Sequence, residues 1–294
     1  MPAMLLDREE YVEQAHFFRV LRERLADNSP VQEVLAGLRE EILATTRLPM
    51  AIDFLLGELQ LKGHLGNGMA RLGHYFAPFQ TFIISSAEDE GARLDFAIAL
   101  RILEREAHFR ASPPVNLAAL FIYQFECLAR NRLGYDFGMV AISEDPAYPP
   151  VWKTWISRVR FELGTAEFAD LVYAQSEQYV EDVRRQRRDP DYQPTTTMLF
   201  DANAGRIARA NIGKDPLYMF AALQRQLGYP VVPRFLSNKT GPVLHPQTEM
   251  RLQRMEARMA LIEQEQRGGL DITKFYQPGQ PDQKPWNSEP EQAP

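Results

Sequence analysis

Cysteine is nearly missing from this chain: Cys127 is the only one in 294 residues. No internal disulfide can form, and the apolar run around Cys127 marks it as a small buried hydrophobe in a reducing compartment. Long apolar runs are missing too, so no membrane span is visible. The opening Met1 to Glu10 has no basic region followed by an apolar stretch, so neither secretion nor insertion is signalled and the expected location is the cytoplasm. Excess positive charge is also lacking, with 33 Lys and Arg against 39 Asp and Glu for a net charge of -6. A protein that coats nucleic acid or anionic membrane needs a basic footprint, so both partners are unexpected.

Familiar catalytic signatures are absent as well. There is no Gly-x-Ser-x-Gly elbow, and Cys127 has no His close in sequence to activate it. Gly213-Lys214 resembles the end of a phosphate-binding loop, but Ala208 replaces its first Gly and Asp215 its Ser or Thr. Asp201-x-Asn203-x-Gly205 starts like a calcium loop, yet Gly205 replaces an oxygen ligand and Ile212 stands where the bidentate Glu belongs.

Helical patterning is what the chain does contain, and a hydrophobic content of 45% suffices for a sizeable core. Asp7 with Glu10 reads as a capping box for a helix over 7–25, whose stripe is Tyr11, Ala15, Phe18, Leu21 and Leu25. Further helices are expected over 31–45 and 49–62. Four glycines at 63, 66, 68 and 73 then suggest either a loop or a helix interrupted by one, and a candidate hinge. The segment 116–133 has no polar face, which predicts a central helix packed on more than one side.

Two stretches on either side of it, 75–108 and 148–181, look like copies. They share Tyr75 with Tyr148, Thr81 with Thr154, Ile83 with Ile156, Gly91 with Gly164 and Glu104 with Glu177. Each reads as two helices joined by a Gly-centred turn, which is consistent with internal duplication.

The fold class expected is therefore mainly α, a multi-helix bundle of helical hairpins filling 1–190. A small appendage over 191–235 is expected to hold a β-hairpin, with Thr195 to Phe200 as one strand and Arg206 to Arg209 returning, then a helix that Asp215-Pro216 starts and Gly228 ends. A linker rich in proline and a Met-lined helix follow over 236–267. The segment 268–294 is too polar to order itself.

Three sets of candidate site residues emerge. Glu104 and His108 flank the stripe of their helix, and Glu126 lies in the apolar central helix, where a carboxylate must be paired, protonated or metal-bound; Arg130, one turn on, is its natural partner. Together they suggest a ferritin-like or haem-oxygenase-like site for iron or manganese, although the Glu13-x-x-His16 pair lies opposite the apolar stripe of its helix and the second Glu-x-x-His of a di-iron pattern is missing. Arg184, Arg185, Arg187 and Arg188 could meet phosphate or nucleic acid, or could simply stabilise a helix C-terminus. Leu252, Met255, Met259 and Ile262 form a heptad-like stripe over 247–267 suited to a protein partner or self-association. The function expected is that of a non-catalytic interaction or adaptor protein needing no cofactor. The metalloenzyme is the alternative, and anion binding through the arginines is the second.

Overall fold

The structure is a computed structural model that describes residues 5–89 and 94–234. The Met-lined stripe over 247–267 and the tail over 268–294 lie outside the described residues. Thirteen helices are present among the described residues. The first six are α1 (Arg8–Ala26), α2 (Val31–Glu41), α3 (Leu48–Lys62), α4 (Leu65–Arg71), α5 (Pro78–Glu88) and α6 (Phe96–Arg110). Then come α7 (Leu117–Asn131), α8 (Tyr135–Glu144), α9 (Pro150–Glu162), α10 (Phe168–Ala174), α11 (Glu177–Arg187), α12 (Ala202–Ala210) and α13 (Pro216–Leu227). None of them is long and apolar enough to cross a membrane.

Helix α7 is the axis of the fold. Every residue from Ala118 to Leu128 is buried, as expected of a helix without a polar face. It packs against α6, α8 and α13, while α1 lies along α6 and α5 against α8. Phe121 is the hub: its ring meets Phe125, Trp152, Trp155 and Phe168 at centroid distances of 4.9 to 6.3 Å. Each such ring contributes roughly 1.5–3 kcal/mol through burial. One hydrophobic cluster runs from Leu6 to Val232.

Two local expectations at the first helix need correction. Asp7 is the N-cap of α1, but its side chain makes no capping bond. Glu10 does not reach back to it: it lies on the same inward stripe as Gln14 and Phe17, and accepts hydrogen bonds from the Tyr75 hydroxyl (2.8 Å) and the Arg47 backbone N–H (2.9 Å). Of the two alternatives for the glycine-rich segment, the interrupted helix is the one observed: α3 stops and α4 resumes. Gly63 ends α3 at φ +75°, and the Glu88 carboxylate then accepts from the N–H groups of Leu65 (2.6 Å) and Gly66 (2.8 Å), satisfying orphan donors of the α4 N-terminus.

No β-hairpin exists among the described residues. Phe200 forms a single bridge with Ser176, and the supposed return strand is helix α12. The Asp201 carboxylate accepts from Ala204 N at 2.7 Å, so the Asp, Asn and Gly that read as a turn instead cap and fill a helix. The two similar stretches share a helix that begins at proline, α5 and α9. The first continues into the single helix α6, and the second is broken into α10 and α11. Gly164 turns the second at φ +107°, and its counterpart Gly91 lies outside the described residues.

Candidate functional site

The structure does not gather Glu104, His108 and Glu126. Glu104 points from α6 to α1 and accepts from Arg22 at 3.2 Å. His108, on the same helix, is exposed. Glu126 is buried on α7, where Arg130 pairs with it and the Tyr229 hydroxyl donates to its other oxygen at 2.6 Å. Among the described residues no three His, Cys, Asp or Glu side chains stand together in a group able to hold a metal ion.

The carboxylate that enters the core of α6 is Glu106, which the sequence reading passed over. It is fully buried and accepts from Arg110 (2.9 Å) and from the Gln124 amide (2.7 Å). Arg110 also pairs with Asp145, and the Tyr148 hydroxyl donates to the Gln124 Oε1 at 2.7 Å. Glu106 and Arg110 are one turn apart, an i, i+4 pair that could have signalled this cluster. Cys127 lies close to it, and burial pushes its thiol well above the ordinary value, with the charges of Glu106 and Glu126 adding to the effect. That is the reverse of an activated nucleophile.

The arginines at the end of α11 are drawn into local contacts. Arg184 Nε donates to the Tyr192 carbonyl at 2.9 Å, the Arg187 guanidinium lies 5.2 Å from the centroid of the Tyr192 ring, and Arg185 is 3.5 Å from Asp182. Arg188 is the C-cap, with φ +54°. Burial works to raise the pKa of Asp182, but hydrogen bonds from Tyr173, Gln178 and Arg209 outweigh it and hold the carboxyl below its ordinary value.

A groove of about 590 Å³ lies between α5 and α8. Its geometry follows from how α8 packs. Gly138 comes so close to α7 that an added Cβ would stand 2.6 Å from Leu128, and Met139 and Ile142 also turn inward. This leaves Phe137, Val140 and Glu144, at i, i+3 and i+7, on the outer face. On α5, Phe79 and Ile83 are inside, while Phe82 forms the facing wall. Buried Phe76 lines the groove, and Phe137 stands at its edge 79% exposed. Asp89 and Glu144 add carboxylates to its lining.

Leu252, Met255, Met259 and Ile262 lie outside the described residues. No protein-family model, curated protein or solved structure matches this chain.

Proposed function

We propose that the protein is a non-catalytic helical adaptor whose α5–α8 groove receives a basic amphipathic helix from a protein partner. Phe137 carries this reading. A large aromatic ring held 79% in water beside an apolar concavity gains roughly 1.5–3 kcal/mol when covered, and such rings anchor helix-in-groove contacts. The Glu144 carboxylate, on a chain of net charge -6, favours a partner with Lys or Arg flanking its apolar face and disfavours a second copy of the same surface. The buried acids of α6 and α7 support a structural role in the same reading, since Arg110 and Arg130 occupy them.

The test is fluorescence anisotropy with a labelled synthetic helix carrying Leu along one face and Lys along its flanks. Wild-type protein should bind it, and both Phe137→Asp and Glu144→Lys should weaken binding by about tenfold or more, equivalent to about 1.4 kcal/mol, with unchanged melting curves. Equal binding by wild type and both variants, or no binding by the wild type, would remove the groove as the docking site.

A further inference from the structure

A second concavity, of about 500 Å³, opens between the α9–α10 turn and the α12–α13 turn. Three phenylalanines from different helices line it. Phe125 of α7 and Phe168 of α10 stack with centroids 4.1 Å apart, and Phe220 of α13 closes the triangle at 6.0 and 5.8 Å. The lining at Ala129 is exposed, and nothing stands within 4 Å of where a Cβ on Gly164 would be. The volume falls in the range of small-molecule sites, and an aromatic floor with few polar groups suits a ligand whose body is apolar.

Two charged side chains line the cleft, and each holds one backbone group. Glu167 accepts from the Gly213 backbone N–H at 2.7 Å, which ties the two turns together. The Lys214 ammonium donates to the Ala210 carbonyl at 2.6 Å, leaving two of its three N–H groups for a ligand. Both keep their charge, since each bonds a neutral backbone group, and of the two only Lys214 can donate to an anionic group of a ligand.

From this arrangement we infer that the cleft is a binding site for an apolar monocarboxylate, an aliphatic or aromatic acid whose body lies on the Phe125, Phe168 and Phe220 rings and whose carboxylate meets Lys214. This site is separate from the α5–α8 groove and does not depend on the adaptor reading. It adds a small-molecule ligand to a protein read so far only through macromolecular contacts.

The experiment uses the full chain with 1-anilinonaphthalene-8-sulfonate as the fluorescent aromatic anion and decanoate as the competitor. Trp155 lies 4.9 Å from Phe121, which lies 6.3 Å from Phe168, so tryptophan excitation reports a probe seated on this floor. Wild type should show tryptophan-sensitised emission that decanoate displaces and decyltrimethylammonium does not. Lys214→Glu should weaken decanoate by about tenfold or more, Lys214→Arg should retain it, and Ala129→Trp, which narrows the opening, should abolish probe binding without changing the melting curve. Undiminished decanoate binding by Lys214→Glu, or equal competition by the cationic amphiphile, overturns the inference. If Phe137→Asp removes the probe and Ala129→Trp does not, the probe sits in the α5–α8 groove and the cleft inference fails while the groove reading stands.

Discussion

Arg110 holds the most demanding electrostatic position in the interior. Burial alone would lower the pKa of its guanidinium, but the carboxylates of Asp145 and Glu106 more than reverse this and place it well above the ordinary value. One cation thus answers two buried acids, with Gln124 donating to Glu106 and the Ala147 N–H to Asp145. Removing one member of such a set leaves uncompensated charge in low dielectric, which is far costlier than the set was worth as a whole. Arg110→Met should therefore cost about 3–5 kcal/mol at neutral pH, read from urea unfolding followed by tryptophan fluorescence. A loss below about 1 kcal/mol would show that the three groups do not share one buried site.

The packing of α12 makes a second prediction, through a contrast of sign between two helical glycines. Replacing Gly by Ala in a helix interior normally stabilises by about 0.8–1 kcal/mol. On Gly57 of α3 an added Cβ would meet nothing within 4 Å, so Gly57→Ala should stabilise by roughly that amount. On Gly205 the Cβ would stand 2.6 Å from the Ser176 Cβ and 2.7 Å from the Gln178 Cβ, so α12 or the start of α11 must move. Overpacking of this kind costs about 1–3 kcal/mol, which outweighs the propensity gain, and Gly205→Ala should lower stability. Paired denaturation curves decide it: the same sign at both positions would mean that α12 is not seated on Ser176.

The same helix shows why part of this fold could not be read in advance. Helix α7 was legible because its side chains are large and apolar on every face. Helix α12 buries Ala204, Gly205 and Ala208, residues too small to write a hydrophobic stripe, and its Asp201 cap has the same letters as a turn. The candidate site was legible to a similar degree. A buried acid on α7 could be expected from its apolar neighbours, whereas the pairing of Glu104 with Arg22 joins residues 82 apart in sequence and left no local trace. The α5–α8 groove was invisible for the same reason: Phe82 and Phe137 look like ordinary helical hydrophobics until the tertiary packing of Gly138 turns α8.

For the molecule as a whole, the adaptor reading requires surfaces that bind without being needed for folding. The hydrophobic cluster from Leu6 to Val232 already joins residues from every helix but α11 among those described. The sequence stripe Leu252, Met255, Met259 and Ile262 is spaced three, four and three residues apart, the spacing of an amphipathic helix, and methionine adapts to irregular partners. A stripe that serves association contributes nothing to the stability of the monomer, and a stripe that belongs to the core contributes to both. The double substitution Met255→Asp with Met259→Asp separates these cases. Sedimentation of the full chain at increasing concentration should show self-association weakened or lost in the variant, with a melting temperature within about 2 °C of wild type, a shift corresponding to less than about 1 kcal/mol for a chain of this size. Two buried carboxylates in place of two buried thioethers would instead lower the melting temperature far beyond that limit. A large drop would place the stripe in the folded core and remove the association surface on which the adaptor reading relies beyond the α5–α8 groove.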